Sequence, residues 1–181
     1  LNAPAYKIAS FEIVDTPLIK YAASTGKPLI ISTGMANKNE IQEAISAAID
    51  GGCSELAILH CVSGYPAPAS DYNLRTLQDM KKEFNLVTGL SDHTLENVTA
   101  ISSIAMGASI IEKHFTLDRE NGGPDDSFSL EPEDLKDLCK STKIAWESLG
   151  NIDYDHKPSE VENIQFRRSL YYVTDMKKGD I

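Results

Sequence analysis

Five short apolar runs alternate with helical patterns along most of this chain, and no other feature constrains its fold as tightly. The runs, at 6–10, 28–32, 56–60, 86–90 and 109–115, show little polar alternation, as strands covered on both faces do. The segments between them carry helix punctuation. Pro17, after Asp15 and Thr16, suits a first helical turn, and Gly26 suits its end. Asn37 and Glu40 form a capping-box pair; Ile41, Ala44, Ile45, Ala48 and Ile49 then share one face until Gly51 and Gly52 stop it. Further helices are predicted near 73–83, 95–106 and 133–149, the last opened by Pro132 and acidic residues.

Consecutive βα units require a parallel sheet with right-handed crossovers. The choice lies between an open doubly wound sheet and part of a barrel. An open sheet that binds a dinucleotide carries G-x-G-x-x-G after its first strand, and this chain has none there. Polar residues gather instead at the C-terminal ends of the strands: Lys7 with Ser10, Ser32 with Thr33, Ser63, Ser91 with His93, and His114. Barrel enzymes hold their chemistry on that rim. The predicted fold class is therefore α/β, the later five βα units of a TIM (β/α)8 barrel, because a whole barrel needs about 250 residues. Residues 1–150 are assigned to the C-terminal portion of that barrel. After Gly150 the sequence turns polar and then strand-like at 169–173, which predicts a linker into a second, truncated domain over 151–181. The chain opens on Leu1 and is expected to be a piece of a longer protein.

Composition narrows the partners. A formal charge of −10, with no basic stripe to offset it, argues against nucleic acid and anionic membrane surfaces. A small anion needs only a local cluster of Lys, Ser and backbone N–H groups. No apolar run approaches the roughly 18–20 residues of a membrane span. Cys53, Cys61 and Cys139 are scattered, forming neither a disulfide framework nor a CxxC site. They read as small buried hydrophobes, and a cytoplasmic location is expected.

The stretches "GLSDHT" (89–94) and "IIEKHFT" (110–116) each end an apolar run on a histidine. A single such histidine is more often structural than functional. Two at equivalent ends of neighbouring strands, about 4.8 Å apart, can converge on one ion. Neutral imidazole suits Mn, Fe, Co or Zn, and two protein ligands leave positions open for substrate and water. His60, before Cys61, and His156, in the linker, are weaker candidates.

The motifs "YKIAS", "PLIISTGM", "LHCVSGYPAP", "GLSDHT", "EKHFTLDR" and "GGPDDSFSLEP" occur in the order found in the sialic acid synthase family. The chain resembles that family over nearly all of residues 4–150, and "FRRSLYYVTDMKKGD" resembles the start of its antifreeze-like C-terminal domain. The variants "YKIASFEI" and "GGPDDSFSLEP" look more like the pseudaminic acid synthase branch than the N-acetylneuraminate branch, which more often shows "GPDHKASLEP". N-acetylneuraminate and legionaminate synthases are the alternatives, and a non-catalytic sugar-binding or assembly module is the alternative from another class.

The resemblance implies condensation of phosphoenolpyruvate with an N-acetylated amino-sugar aldehyde to give a nonulosonic acid. By the same resemblance His93 and His114 hold a divalent metal, usually Mn2+. Lys7, Ser10, Ser32 and Ser91 match positions that hold the phosphate and carboxylate of phosphoenolpyruvate, and Glu12 an acidic residue near the reacting centre. Tyr65 and Asp125 match positions facing the sugar, and Ser63, standing where the family commonly has Asn within "HCTN", is assigned to the sugar with them. Glu112, at strand parity with His114, is expected to support the metal ligands. The resemblance also implies a homodimer in which the C-terminal domain caps the partner's barrel.

Overall fold

The computed structural model describes residues 3–180. The chain divides into two units, Leu1–Leu149 and Gly150–Ile181. The first contains strands β1 (Tyr6–Ile8), β2 (Leu29–Ser32), β3 (Leu56–Cys61), β4 (Val87–Asp92) and β5 (Ile110–Lys113). Between and after them run α1 (Thr16–Ala23), α2 (Lys38–Asp50), α3 (Thr76–Phe84), α4 (Val98–Ala105) and α5 (Pro132–Leu149). Local chemistry sets the helix ends. Asp15 accepts the Leu18 N–H at 3.0 Å to open α1, and the Asn37–Glu40 capping box opens α2. Asn85, at φ 51°, closes α3 in the left-handed conformation.

All five strands pair in parallel in the order β1-β2-β3-β4-β5. A doubly wound sheet reverses its order partway along. This one never does, so right-handed crossovers put every helix on one face. The other face is concave. Lys7 of β1 and Glu112 of β5 stand on the two edge strands, yet Nζ and Oε1 are 3.5 Å apart. In a flat sheet four inter-strand steps would separate them by about 19 Å. The two long side chains bridge only part of that distance; curvature closes the rest, and the sheet is the wall of a half-barrel.

Register then decides which residue faces where, since paired residues of parallel strands share a face and neighbours in sequence alternate. Ile8, Ile31 and Ile58 form one paired row and pack with Ile19, Ala23, Ala44, Ile45 and Ala48 in the main core under α1 and α2. Three residues further along, Cys61, Ser91 and Glu112 form a row on the concave face. The next row, Asp92 and Lys113, returns to the helix side. His93 and His114 follow just beyond the strands, on the inside again. Gly89 allows β4 to sit this close to its neighbours. A Cβ there would lie 2.4 Å from the Ile110 carbonyl oxygen and 2.6 Å from Leu59 Cδ2.

Three expected features differ from what is observed. Helix α3 starts at Thr76 rather than 73, because Asn73 adopts φ 43° and cannot continue a right-handed helix. Helix α4 starts at Val98 rather than 95: Lys113 Nζ takes the carbonyl oxygens of Thr94 and Glu96, turning that turn of backbone out of helical geometry. The stretch 169–173, expected as a strand, has no regular structure and bends at Val173. A strand exists through its partner, and among the described residues of the second unit none pairs with it. That unit's one regular element is a 3-10 run, Pro158–Phe166, opened by the Lys157 N–H bonding Glu160 at 2.7 Å. Among the described residues no helix is long and apolar enough to cross a membrane.

Candidate active site

The C-terminal rim of the half-barrel gathers most of the expected residues into one concave patch. Ser91 Oγ donates to Glu112 Oε1 at 2.8 Å, and the same oxygen lies 3.5 Å from Lys7 Nζ. Lys7 also donates to the Ile8 carbonyl at 3.0 Å. Glu112 thus holds a hydroxyl and an ammonium side by side. Ser10 begins the 3-10 turn Ser10–Glu12 after β1, and its Oγ accepts the Gly34 N–H at 3.0 Å. Gly34 has no room for a side chain: a Cβ would lie 2.2 Å from Ser63 Oγ and 2.7 Å from Ser10 Oγ. The two hydroxyls therefore converge on the space above Gly34. Ser63 Oγ is buried without a hydrogen-bond partner, and so is Ser32 Oγ on the concave face of β2. Buried hydroxyls normally find partners, so the two orphans mark where a polar ligand fits.

Beside this cradle stand the histidines. Their ring centres are 5.3 Å apart with the planes at 63°. With metal–nitrogen bonds of about 2.1 Å, two imidazoles sharing one ion at angles between right and tetrahedral put their ring centres roughly 4.6–5.3 Å apart. The pair fits one divalent ion. His93 Nδ1 meets the Val62 carbonyl at 2.8 Å, which fixes the proton there and leaves Nε2 as the lone-pair nitrogen. Asp125 Oδ2 lies 3.5 Å from His114 Nδ1, a carboxylate beside the corresponding nitrogen of the second ring. Among the described residues no group of three or more His, Cys, Asp and Glu is arranged to hold an ion. Two protein ligands would leave the remaining coordination positions to substrate and water.

The electrostatics differ between the rings. Burial disfavours a proton on His93, but the Cys61 sulfur, the Val62 carbonyl and Asp92 outweigh it and hold the imidazole above its usual range. His114 is pushed down, first by burial and then by facing His93, which keeps it neutral. Tyr65 stacks on His93 with ring centres 4.3 Å apart and meets His114 edge-on at 5.7 Å. Its phenol is pushed up by burial and by the nearby negative groups of Cys61, Asp125, Glu112 and Glu12. That field ties half-buried Glu12 to the same rim.

Phe128 closes the wall. It is 9% exposed and its ring lies 5.6 Å from Tyr65 and 5.2 Å from His114. The loop that carries it is tied down: Ser129 Oγ donates to the Asp125 carbonyl at 2.7 Å, and Arg119 Nε donates to the Ser129 carbonyl at 2.8 Å. Arg119 also pairs with Glu131 and Asp134.

The structure adds groups that residue patterns did not single out. Of the three cysteines expected to be small buried hydrophobes, Cys61 is 6% exposed, Cys53 is half-buried and Cys139 is exposed; the Cys61 Sγ lies 4.0 Å from His93 Nδ1. Burial would push that thiol up; His93, Ser10 and Ser91 outweigh it and bring it below its usual range. Tyr72, fully buried, accepts the His93 backbone N–H on its hydroxyl at 2.6 Å, and the His93 carbonyl accepts the Ala67 N–H at 3.0 Å. Parity along β3 could have placed Cys61 in the same row as Ser91. The Tyr72 contact depends on how the loop after β3 folds back, and no local pattern reports that. His60 lies on the helix side, bonded to the Tyr72 carbonyl. His156 is exposed and meets Arg167 at 3.2 Å in the second unit.

A parallel half-barrel that gathers two imidazoles, a lysine and several hydroxyls on its C-terminal rim has the layout of a barrel enzyme. Residues 1–154 match the NeuB family, and the chain belongs to it. It is 41% identical over its full length to the N,N'-diacetyllegionaminic acid synthase of Campylobacter jejuni, covering 55% of that protein. It is 40% identical to the pseudaminic acid synthase of Helicobacter pylori, over 99% of this chain and 53% of that one. The crystal structure of an N-acetylneuraminic acid synthetase from Leptospira borgpetersenii, in complex with citrate, superposes with a TM-score of 0.82 at 36% identity. That match covers 93% of this chain and 59% of the other. The chain spans about half the length of the curated relatives it matches.

Proposed function

We infer that the complete protein condenses phosphoenolpyruvate with an N-acetylated amino-sugar aldehyde to form a nonulosonic acid, releasing phosphate by C–O cleavage. The observation that carries this reading is the pair of imidazoles 5.3 Å apart beside a cradle with two unpartnered buried hydroxyls. Names of the relatives at about 40% identity support a synthase of this class.

The roles follow from position. Lys7 supplies a cation and Ser10, Ser32 and Ser91 supply hydroxyls for the phosphate and carboxylate, with Ser63 beside them on the sugar's side. His93 and His114 would hold a divalent ion, Mn2+ being our choice, which would supply Lewis acidity toward the aldehyde oxygen. The enol C3 then bonds to the aldehyde carbon, C2 becomes electron-poor, water adds at C2, and the phosphate leaves with the C2–O electron pair. Glu12 is the acidic group on the rim able to orient that water. Tyr65 and Asp125, exposed at the mouth, face the sugar, while the buried wall excludes bulk water. We also infer a cytoplasmic homodimer completed by an antifreeze-like C-terminal domain after residue 150.

Sugar choice turns on Phe128. A buried ring beside His114 favours a methyl group over a hydroxymethyl group, because an unpaired buried hydroxyl costs about 1–3 kcal/mol. This supports a 6-deoxy di-acetamido sugar of the kind that leads to pseudaminic acid. The near-equal identity to a legionaminic acid synthase makes that product the second reading. The test is competition in the complete protein. A 6-deoxy di-acetamido sugar should exceed N-acetylmannosamine at least tenfold in kcat/KM. Preference for N-acetylmannosamine would overturn the sugar assignment, and the absence of phosphoenolpyruvate-dependent phosphate release with every amino sugar would overturn the synthase reading.

A further inference from the structure

The two histidines are held at their spacing from behind. Asp92 and Lys113 each precede a histidine by one residue and are direct partners in the β4–β5 register. Because side chains alternate, both point away from the barrel interior into the helix layer while His93 and His114 point inward. There they form an ion pair at 3.0 Å with side chains only 0% and 3% exposed. Among the described residues every other ion pair keeps each side chain at least 30% exposed. The ammonium is fully used: Lys113 Nζ also donates to the Thr94 carbonyl at 2.7 Å and the Glu96 carbonyl at 3.2 Å. The carboxylate is used as fully, accepting the Thr94 N–H at 2.9 Å on Oδ1 and the Thr94 hydroxyl at 3.2 Å on Oδ2.

Such a pair is a poor source of stability, since removing two charges from water costs about as much as their attraction returns. It is a good source of geometry. Its partners lie immediately before the two rings, and it anchors the backbone on both sides of His93, through Asp92 itself and through Thr94. The main chain of His93 is further held by Tyr72 and Ala67, and that of His114 by the Leu130 N–H at 2.9 Å. On the inner side the two segments are joined only further back, two residues before each ring, by Ser91 Oγ donating to Glu112 Oε1 at 2.8 Å, where the carboxylate side chain is 39% exposed.

We propose that Asp92 and Lys113 are positioning residues whose buried ion pair, on the reverse side of β4 and β5, sets the separation of His93 and His114 and so the rim's affinity for a divalent ion. This rests on reading the two histidines as metal ligands. The test uses the complete protein, stripped of metal and titrated with Co2+, whose visible absorption reports ligand geometry. The near-isosteric, uncharged double variant Asp92→Asn/Lys113→Met removes the pair without stranding a charge. Lys113→Arg keeps the pair but lengthens it, and serves if the double variant fails to fold.

The double variant is expected to retain its far-UV signal, to bind Co2+ at least tenfold more weakly and to show an altered absorption band. Lys113→Arg should fall between it and the parent. A folded double variant, or failing that a folded Lys113→Arg, with the parent's Co2+ affinity and spectrum would overturn the proposal. His93→Ala and His114→Ala separate the two readings. If both bind Co2+ as the parent does, the metal reading fails and the proposal falls with it. If they lose the ion while the charge-free pair keeps it, the metal reading stands and the proposal alone falls.

Discussion

Replacing Gly34 with alanine should damage the hydroxyl cradle in a way that a second substitution repairs. The new Cβ would arrive 2.2 Å from Ser63 Oγ, where a relaxed contact needs about 3.5 Å, so the hydroxyl must swing away by an ångström or more. It would also crowd Ser10 Oγ at 2.7 Å and strain the Gly34–Ser10 hydrogen bond. Overpacking of this kind costs about 1–3 kcal/mol and a lost hydrogen bond about 0.5–1.5 kcal/mol. The stiffer unfolded chain returns about 0.4–1 kcal/mol. The net expectation is a destabilisation of roughly 1–3 kcal/mol. Ser63→Ala alone should be close to neutral, because the hydroxyl it removes has no partner to lose. Combined with Gly34→Ala it eliminates the shortest contact, so the double variant should be more stable than the sum of the singles by about 1–2 kcal/mol. Chemical unfolding of the complete protein and its three variants, followed by far-UV circular dichroism, measures that coupling. Additivity within about 0.5 kcal/mol would refute the reasoning, since independent sites add and contacting ones do not.

Chelation should abolish turnover of the complete protein and Mn2+ or Co2+ should restore it, while His93→Ala or His114→Ala lowers metal affinity at least tenfold; undiminished metal-dependent turnover in both would sink the ligand assignment. Lys7→Ala should raise the KM for phosphoenolpyruvate about tenfold or more, since a charge-assisted contact contributes roughly 1.5–3 kcal/mol. Asp125→Ala should chiefly raise the KM for the sugar, and an equal loss for both substrates in both variants would point to damage of the fold instead. Gly89→Ala drives a Cβ against the Ile110 backbone, which cannot swing aside as a hydroxyl can. Its destabilisation should reach or exceed the upper end of the roughly 1–3 kcal/mol range for overpacking, with a parent-like unfolding midpoint counting against the close strand approach.

The barrel wall was legible because strand alternation and helix punctuation are local. The runs that became β2 and β3 match the observed strands to within a residue at each end. The rim was legible for the same reason, as polar residues after apolar runs fall where parallel strands end. What stayed hidden depends on curvature and on chain folding back. The meeting of Lys7 with Glu112 needs the edges of the sheet brought round toward each other, and nothing in either segment encodes that distance. The start of α4 was misplaced because the turn before it is tied, through the Thr94 and Glu96 carbonyls, to a lysine on the following strand. The apolar stretch at 169–173 reads as a strand by composition, but composition cannot supply a neighbour to pair with.

The alternation at the ends of β4 and β5 also limits how such a chain can change length. One extra residue between Gly89 and His93 would rotate Asp92 into the barrel and His93 out among the helices, exchanging an imidazole for a carboxylate in one step. The same holds between Ile110 and His114. Residue types there can be exchanged one at a time, whereas insertions and deletions can accumulate only in the turns beyond, as in the loop between β5 and α5. Lineages of this barrel should therefore diverge in substrate by remodelling loops while the two short strand ends keep an unchanging count of residues.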